Sequence, residues 1–250
     1  MLKVKDIEFS YKNNKVLNNV SFNSDYGYIT TILGKNGTGK TTLIKIINRL
    51  LKPQRGDIFI ENKKINKLKR YELSKIIGYC PQYSYIPETT VFETILAGKF
   101  LQTKWFISKN DIESVNEIIG FLGLTNISFK NINQISGGEL QKVIIARAII
   151  SKPKILLLDE PINHLDIKNQ HEIMQLLNKI TKALNINTII VLHDINIALR
   201  YGEKFIVLKN GHIIASGDKK DITENIIKEA YNINVKIVYF NNIPLVVPFN

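Results

Sequence analysis

The sequence predicts an α/β fold built on a parallel β-sheet, and three observations support this prediction. Short apolar stretches rich in β-branched residues alternate with longer stretches whose apolar residues recur three and four positions apart. Such alternation of strands and helices is typical of right-handed crossovers in a parallel sheet. A glycine-rich segment, 34–41, joins one predicted strand to one predicted helix. Polar residues directly follow several apolar strands, as expected where parallel strands end at a common edge.

Length and composition are those of a globular protein. The chain has 250 residues, 44% hydrophobic and 22% charged, which allows one larger domain or two small ones. Its apolar runs are too short to span a bilayer, and the N-terminus lacks the apolar core of a signal peptide, so we expect a cytoplasmic protein. The single cysteine, Cys80, excludes an internal disulfide and suits a reducing compartment.

The net charge of +12 raises the question of a nucleic-acid partner. The lysines are spread along the chain, and the one denser basic stretch, residues 63–70, has no RNA-binding or helix-turn-helix signature beside it. A solvated helix face is one interpretation of this stretch, and a nucleic-acid site or a contact with anionic lipid are the others. Charge alone does not choose among them.

The N-terminal residues 1–28 alternate between apolar and polar in two short runs. Tyr11 lies in a polar loop between the runs, upstream of the glycine-rich segment, where an aromatic ring can stack on a purine. Taken alone, Tyr11 would be interpreted as a partly buried core residue. The runs predict two strands of a half-exposed antiparallel sheet, marked by Leu2, Val4, Ile7, Phe9, Val20 and Phe22.

The segment 34–41 fits the phosphate-binding pattern G-x-x-x-x-G-K-[ST], with a strand before it and helical periodicity through Leu51 after it. Glycines let backbone N–H groups converge on a phosphate, and the helix N-terminus adds partial positive charge. Lys40 can reach the outer phosphates, and the Thr41 hydroxyl can bind Mg²⁺. A glycine turn without a ligand is the alternative, and the agreement of pattern and context argues against it. We therefore expect a nucleoside triphosphate at Gly34, Asn36, Gly37, Thr38, Gly39, Lys40, Thr41 and Thr42.

The rest of the chain continues the alternation. Residues 57–60 and 76–80 are predicted strands on either side of a basic helical stretch, 65–75. The helical pattern from 83 to about 152 predicts an insert between strands of the central sheet, with helices at 91–101, 109–122 and 140–150. We then expect a strand that ends at Asp159-Glu160, a helix at 173–184, a strand at 187–192, and hairpins that turn at Asn210-Gly211 and Asn241-Asn242.

Two acids and a histidine follow predicted strands. Asp159 and Glu160 point to opposite sides if the strand persists through them, so one can hold Mg²⁺ while the other faces an attacking water. A surface acid pair is the alternative, and the four apolar residues before the pair argue against it. For His193, a structural and a catalytic role remain equally open at this point.

A second glycine-containing segment precedes a predicted helix. Ser136, Gly137 and Gly138 form a second anion-binding nest if they lie at that helix N-terminus. A simple helix cap is the alternative. Two nests in one chain suggest that a phosphate is held from two sides.

Over nearly its whole length the chain resembles an ATP-binding cassette (ABC) ATPase. Residues 135–141, Ile-Ser-Gly-Gly-Glu-Leu-Gln, are similar to the family signature, with Ile135 in place of the usual leucine. The resemblance implies a P-loop NTPase (RecA-like) core with an antiparallel β subdomain and an α-helical insert. It also implies a single ATP-binding domain over 1–250, with the core and β subdomain at about 1–82 and 153–250 and the helical subdomain at about 83–152.

The resemblance also implies ATP and Mg²⁺ as ligands, and a role for each motif. Tyr11 matches the adenine-stacking aromatic, and Gln82 matches the glutamine associated with the metal and the active site. Asp159 matches the metal-associated aspartate, Glu160 the catalytic glutamate and His193 the switch histidine. The remaining matches act across a head-to-tail dimer, on the nucleotide of the second copy, and they are Ser136, Gly137, Gly138 and Asp166.

The partners implied by the resemblance are a second copy of the chain, transmembrane permease subunits and, indirectly, a substrate-binding protein, at the cytoplasmic face of the membrane. Residues 91–99 and 192–196 resemble importers of iron chelates, haem and cobalamin, whereas 162–164 depart from the usual Thr-Ser-His. The resemblance implies that residues 83–91 receive a short cytoplasmic helix of the permease. The apolar cluster at Tyr83, Tyr85, Ile86 and Pro87 is consistent with such a contact surface, and a piece of the core is the alternative.

Two other functions remain as alternatives. A soluble cassette ATPase that acts on ribosomes or DNA is disfavoured by the short spacing between Thr41 and Ser136 and by the absence of heptads, and no nucleic acid is expected. A nucleotide-binding module without turnover is disfavoured by the intact Glu160 and His193.

Overall fold

The structure of the chain, a computed structural model, describes residues 1–82, 87–99 and 107–249. Its strands within these ranges are β1 Leu2–Tyr11, β2 Asn14–Ser24, β3 Ile29–Leu33, β4 Arg55–Ile60, β5 Lys63–Lys64, β6 Ile77–Cys80, β7 Ile155–Asp159, β8 Asn187–Val191, β9 Lys204–Lys209, β10 His212–Asp218, β11 Val235–Phe240 and β12 Ile243–Pro248. Its α-helices there are α1 Lys40–Ile47, α2 Arg70–Ile76, α3 Val91–Leu96, α4 Lys109–Phe121, α5 Gly137–Ile149, α6 Ile167–Ala183, α7 Ile195–Tyr201 and α8 Glu224–Tyr231.

The central sheet has the strand order β10-β9-β3-β8-β7-β6. Its strands run parallel apart from β10, which pairs antiparallel with β9 at the edge. Every residue of β3, β7 and β8 is buried, because helices cover both faces of a parallel sheet and its strands are therefore apolar throughout. Parallel pairing brings the carboxyl ends of β3, β6, β7 and β8 to one edge. The α/β fold predicted from the sequence is confirmed.

A smaller antiparallel sheet, in the order β2-β1-β4-β5, is formed mainly by the N-terminal segment. Alternate residues of β1 and β2 are buried, as the sequence pattern predicts for a half-exposed sheet. The prediction that Tyr11 lies in a loop is wrong. It is the last residue of β1, because the strand pairing continues to Tyr11 opposite Asn14 at the start of β2.

The helix after the glycine-rich segment is shorter than predicted. It ends at Ile47, because Arg49 adopts a left-handed conformation with φ of 55°. The N–H of Leu50 then donates to the carbonyl of Lys45 (2.8 Å) and that of Arg49 to Ile46 (3.0 Å), the hydrogen-bond pair of a Schellman motif. Leu50 is therefore outside the helix and 58% exposed.

The insert between β6 and β7 contains α3, α4 and α5, as predicted. Val91 on α3 and Val143 on α5 are fully buried in the same hydrophobic core as Leu156 of the central sheet. α3 ends at Leu96, short of the predicted 101, and α5 begins three residues earlier than predicted. The division of the chain into a core with a β subdomain and a helical subdomain stays a prediction.

The segment 65–75 is not the single helix that the sequence predicts. Residues 63–64 form strand β5, a 3₁₀ turn follows at Ile65–Lys67, and α2 begins only at Arg70. The side chain of Arg49 donates to the carbonyls of Ile65 (3.0 Å) and Leu68 (2.6 Å), and these bonds hold the non-helical segment against the end of α1.

The C-terminal part of the chain contains two helices, α7 and α8, that the sequence analysis missed. α6 also begins earlier than predicted, because the side chain of Asp166 accepts from the N–H of Asn169 (2.8 Å) and caps the helix. Both predicted hairpins are present, as β9–β10 and β11–β12. None of the helices that the structure describes is both long enough and apolar enough to cross a membrane.

Cys80 lies at the end of β6, beneath the insert. Its side chain is completely buried, and its Sγ accepts a hydrogen bond from the side-chain amide of Gln141 on α5 (3.4 Å). Burial raises the pKa of the Cys80 thiol to about 12. The thiol is therefore protonated at neutral pH and shielded by the contact between β6 and α5.

Candidate active site

Polar groups from four strand ends meet at one edge of the central sheet. The phosphate loop, defined here as residues 34–41, follows β3, and Gln82, Glu160 and His193 follow β6, β7 and β8. Together they border a cavity of about 610 Å³. The other predicted residues that line it are Tyr11, Asn36, Gly37, Gly39, Lys40, Thr41 and Thr42, and they are joined by Asn163 and His164.

The shape of the phosphate loop depends on glycine at two positions. Gly34 and Gly37 have φ of +145° and +81°, which L side chains rarely adopt. A Cβ on Gly34 would lie 2.3 Å from the carbonyl oxygen of Leu208, so no side chain fits there. Around Gly37, no atom of the described residues lies within 4 Å of the corresponding position. The loop is therefore packed tightly behind Gly34 and open at Gly37, where a phosphate could approach the backbone.

Lys40, the first residue of α1, is only 4% exposed. Its ammonium group donates to the carbonyls of Gly34 (2.7 Å) and Lys35 (2.9 Å), so the side chain folds back over the loop. Burial lowers the pKa of Lys40, and the negative charges of Glu160 and Asp159 oppose this effect. A phosphate would add negative charge beside this cation and favour its charged form.

Thr41 and Asp159 bring two side-chain oxygens together beside the phosphate loop. The Thr41 hydroxyl donates to Asp159 Oδ1 (3.0 Å), and Asp159 is 1% exposed. Burial is the main cause that raises the pKa of Asp159. The other carboxylate oxygen, Oδ2, is buried and has no hydrogen-bond partner among the described residues. A buried acceptor without a partner is unfavourable, and a bound cation would satisfy it, so the pair fits Mg²⁺.

A cation at Thr41 and Asp159 would have few charged protein ligands around it. Among residues 1–82, 87–99 and 107–249 there is no cluster of three or more histidine, cysteine or acidic side chains able to hold a metal. Magnesium typically binds through one or two protein oxygens together with water and substrate phosphates. The sparse protein ligands at Thr41 and Asp159 therefore suit a metal that arrives with a nucleotide.

Glu160 is held by three side chains. Its carboxylate accepts from Gln82 Nε2 (2.5 Å) and from the amide of Asn163, and it contacts His193 Nε2. The expected strand alternation of Asp159 and Glu160 is not observed, because β7 ends at Asp159 and Glu160 takes a left-handed conformation with φ of 56°. This turn, rather than the pleat of a strand, separates the directions of the two acids. The arrangement fixes the carboxylate at the border of the cavity.

Asn163 and His164 are two of the cavity residues that the sequence analysis missed as site residues. They belong to the segment 162–164, which departs from the family pattern at the first two positions. Asn163 lies three residues after Glu160, and its N–H donates to the Glu160 carbonyl (3.3 Å). This turn returns the Asn163 amide group to the carboxylate. The short sequence separation from the acid pair was the available signal.

The second nest lies away from the cavity. Ser136 caps α5 through a capping box, in which Ser136 Oγ accepts from the N–H of Glu139 (3.3 Å) and the Glu139 carboxylate accepts from the N–H of Ser136 (2.8 Å). Ser136 and Gly137 are exposed, whereas Gly138 is buried. A Cβ on Gly138 would lie 2.4 Å from the side-chain oxygen of Asn169 on α6, so the nest packs against the start of that helix.

Asp166 joins the nest rather than the cavity. It caps α6, with its two carboxylate oxygens accepting from the backbone and the side chain of Asn169 (2.8 Å each). The structure thus separates the predicted site residues into two groups. One group surrounds the cavity at the sheet edge, and the other, formed by Ser136, Gly137, Gly138 and Asp166, lies together at the start of α5 and α6.

Tyr11 lines the cavity from the smaller sheet. Its side chain is 46% exposed, and its ring stands edge-on to Phe9, with centroids 4.8 Å apart and planes at 85°. The interpretation of Tyr11 as a buried core residue is therefore wrong. An aromatic ring fixed on one side and open on the other provides a surface for a planar base.

The phosphate loop on a parallel sheet, the nearby acid pair and the strand-end histidine define the chain as a P-loop nucleoside triphosphatase. The family model for ABC transporters matches residues 17–163. An uncharacterized ABC transporter ATP-binding protein of Methanocaldococcus jannaschii is 46% identical over 248 residues, which cover 99% of this chain and 98% of that protein. The petrobactin import ATP-binding protein YclP of Bacillus subtilis is 32% identical over 97% of each chain.

A solved structure shares the fold. A dimeric ATP-binding cassette in a post-hydrolysis state, bound to ADP and phosphate, is 34% identical, with a TM-score of 0.76 over 88% of this chain and 99% of that one. The chain belongs to the ABC transporter family, as an ATP-binding subunit that hydrolyses ATP for transport. The resemblance identified from the sequence is confirmed.

Proposed function

We propose that this chain supplies ATP hydrolysis to an importer and that Glu160 positions the attacking water. The observation that carries the proposal is the Glu160 carboxylate, held at the cavity by Gln82, Asn163 and His193. Lys40 is close enough to this carboxylate for the negative charge to raise the lysine pKa against the effect of burial. A fixed acid beside the phosphate-binding cation is what an oriented water and an in-line displacement require.

The other cavity residues divide the remaining tasks. Lys40 and the N-terminus of α1 stabilise negative charge on the phosphates, and Tyr11 stacks on the adenine. His193, which contacts Glu160 in this structure, contacts the γ-phosphate of bound ATP through the same ring nitrogen. Thr41, Asp159 and the Gln82 side-chain oxygen, which is not used in the bond to Glu160, would hold Mg²⁺. When bound, this ion neutralises charge on the phosphate oxygens.

A second copy of the chain completes the site. Ser136, Gly138 and Asp166 do not line the cavity of their own chain. Ser136 lies at the exposed N-terminus of a 13-residue helix, which favours anions. A head-to-tail dimer places this helix end on the triphosphate held by the other copy, and so two ATP molecules are bound between the two chains. The dimeric cassette described above supports this arrangement.

The permease has a candidate docking groove between α1, α2, β6 and α5. This groove has a volume of about 490 Å³ and is lined by three arginines, Arg49, Arg70 and Arg147, together with Leu50 and Tyr79. Leu50 is 58% exposed beside these basic groups, which suits a short helix with apolar and acidic side chains. We assign this helix to a cytoplasmic loop of the permease, and the chain then works at the cytoplasmic face of the membrane.

The docking segment expected from the sequence is only partly described. Tyr83, Tyr85 and Ile86 lie outside the described residues. Val91 is fully buried in the hydrophobic core, so it does not line a docking surface. Pro87 is exposed. We therefore place the permease contact at the groove beside Leu50 and no longer at Val91.

For the transported substrate we propose an iron chelate such as a siderophore, or haem or cobalamin. The names of two relatives refer to petrobactin import, in Bacillus subtilis and in Bacillus anthracis at 29% identity over 94% of this chain. Other relatives are named for spermidine and putrescine or for phosphonates. The resemblance of residues 91–99 and 192–196 to importers of iron chelates, haem and cobalamin favours these substrates over polyamines and phosphonates. A substrate-binding protein outside the membrane would deliver the chelate.

Leu50→Asp tests the importer function and the docking groove together. The chain is reconstituted with its permease in proteoliposomes, and uptake of a ferric siderophore is compared with uptake of spermidine and of a phosphonate. We expect Leu50→Asp to reduce siderophore uptake at least about tenfold, because it places a charge in the apolar part of the contact. ATP hydrolysis by the isolated chain should remain within about twofold of wild type, because Leu50 lies outside the cavity.

Leu184→Asp is the matched control, because Leu184 also follows a helix and is 41% exposed. It should leave uptake unchanged. If Leu50→Asp does not change uptake, the docking groove is wrong. If the wild-type protein co-purifies with ribosomes or DNA and supports no uptake of any of the three substrates, the importer function is wrong.

A further inference from the structure

The first residue of the phosphate loop is held from the far end of the chain. The N–H of Gly34 donates to the hydroxyl of Tyr231, the last residue of α8, at 3.0 Å, and Gly34 is buried. On its other side, the Gly34 carbonyl accepts from Lys40. The peptide groups of this glycine are therefore fixed by a tyrosine and by the phosphate-binding lysine together. Gly34 and Tyr231 lie 197 positions apart in the sequence.

The helix that carries Tyr231 is in turn tied to the C-terminal hairpin. The Glu224 carboxylate, in the first turn of α8, accepts from the N–H of Ile237 on β11 (2.8 Å) and lies 3.8 Å from the ammonium group of Lys236. α8 ends immediately after Tyr231, where Asn232 takes a left-handed conformation. The position of Tyr231 is thus set by both ends of its helix.

The same hairpin reaches the element that follows His193. Asn196, in the first turn of α7, makes two hydrogen bonds with the backbone of Val246 on β12. Its oxygen accepts from the Val246 N–H (2.7 Å), and its amide donates to the Val246 carbonyl (3.3 Å). Asp194, which caps α7, lies close enough to Tyr231 for its charge to add to burial in raising the tyrosine pKa. The phenol is therefore neutral at pH 7 and keeps its hydroxyl.

We propose that Tyr231 is a positioning residue for ATP turnover. It holds the phosphate loop at Gly34, and α8 with the β11–β12 hairpin ties that loop to the start of α7 and so to His193. The phosphate loop and His193, which flank the γ-phosphate in the proposed site, are then held at a fixed separation before ATP binds. The family model ends at residue 163, so Tyr231, Asn196 and the β11–β12 hairpin lie beyond the part of the chain that it matches.

Tyr231→Phe tests the proposal, because it removes the hydroxyl and keeps the ring. ATP hydrolysis by the full chain is measured without a permease, together with the melting temperature in the absence of nucleotide. We expect KM for ATP to rise about five- to tenfold, because the buried Gly34 N–H loses its acceptor and the loop must shift to satisfy it. The melting temperature should fall by only about 2–4 °C, because one buried hydrogen bond is lost while the ring packing is retained. Tyr239→Phe, a change at a 72% exposed tyrosine of β11, should alter neither value.

The link to α7 is tested at Asn196. Asn196→Asp keeps the acceptor for the Val246 N–H, whereas Asn196→Ala removes both bonds. We expect kcat to fall severalfold in the alanine variant, with a smaller fall in the aspartate variant and little change in KM. The proposal rests on the proposed ATPase site, so wild-type turnover is the reference, and a wild-type chain without turnover would contradict that site instead. Unchanged KM in Tyr231→Phe, with or without a lower melting temperature, would overturn the positioning role.

Discussion

The two anion-facing regions of this molecule differ in how far they are completed by their own chain. The cavity at the edge of the central sheet has a buried lysine beside a buried acid pair, and the glutamate of that pair is held by three side chains. The nest at Ser136 faces outward, and Ser136 forms a capping box with Glu139 while Gly138 packs against the start of α6. One region is assembled before a ligand arrives, and the other is an exposed helix N-terminus at Ser136 and Gly137.

This difference suggests that nucleotide binding and turnover depend on different regions of the molecule. A preassembled cavity can bind a nucleotide in a single chain, because its charges and backbone groups are already in place. The exposed nest does not line that cavity, and in the proposed dimer it acts on the phosphate held by the second copy. Binding and turnover should therefore be separable by mutation, and each change below tests one side of this contrast.

The largest effect is expected from Glu160→Gln in the cavity. The amide lacks the negative charge that orients water, so turnover should fall by about 10³-fold or more, while ATP binding by Lys40 and the phosphate loop is retained. Phosphate release and calorimetric ATP titration measure the two properties. Glu113→Gln, at an exposed acid on α4, is the control and should leave both unchanged. Near-normal turnover in Glu160→Gln would remove this residue from the mechanism.

An intermediate effect is expected from Ser136→Ala, and the chain contains a close control. Ser108 caps α4 through the same kind of capping box, with Asp111 in place of Glu139, and both helices have 13 residues. Loss of either serine hydroxyl should lower stability by about 1 kcal/mol. Only Ser136→Ala should lower turnover, by about tenfold or more, because in the proposed dimer this helix end, and not that of α4, faces the nucleotide of the second copy.

Light scattering extends the serine comparison to assembly. Glu160→Gln protein should shift from monomer to dimer when ATP and Mg²⁺ are added, and Ser136→Ala in the same background should weaken that shift, whereas Ser108→Ala should not. Equal turnover in the two serine variants, or a monomer at high protein concentration with ATP, would contradict the proposed role of the nest.

The smallest effect is expected from Asp159→Asn, as a change in stability. Burial raises the pKa of Asp159, so the folded chain favours the protonated carboxyl, and its charge destabilises the fold increasingly as the pH rises above about 4. Asp159→Asn should therefore raise the melting temperature at pH 8 by about 2–4 °C, and the gain should shrink toward pH 4. Asp25→Asn, at an exposed position, is the control. A gain that is independent of pH would show that charge burial is not its cause.

Added Mg²⁺ gives the opposite response in the same experiment. With ATP present, the ion should raise the melting temperature of the wild type more than that of Asp159→Asn, because the variant lacks the second carboxylate oxygen. Such a result would show that the cavity keeps an unfavourable buried charge in readiness for its ligand. The exposed nest has no comparable cost.

The sequence was sufficient for features that depend on local pattern. The phosphate loop, the strands before the acids and before His193, and both hairpins were predicted because each is encoded within about ten neighbouring residues. The end of α1 was missed, because nothing in its periodicity shows that Arg49 takes a left-handed conformation. Helix α8 was missed as well, although Thr223 and the apolar spacing of Ile226, Ile227 and Ala230 were signals for it.

Features of the site that depend on distant contacts were beyond the sequence. The bond from Gly34 to Tyr231 joins opposite ends of the chain, and no spacing rule relates them. The Asn163 amide contacts Glu160 only because β7 ends at Asp159 and the chain turns back. The separation of Ser136 from the cavity likewise follows from how α5 packs on α6, although the family resemblance had already assigned this residue to the second copy.

Cys80 gives the molecule an intrinsic chemical reporter. Its thiol lies at the end of β6, two residues before Gln82, and is covered by Gln141, which follows the Ser136 nest on α5. A thiol-specific reagent can react with it only while β6 and α5 are apart, because the closed form keeps the group both buried and protonated. The rate of labelling at this one native cysteine therefore measures how often β6, which leads to Gln82, separates from α5, which begins at the nest. No introduced probe is needed.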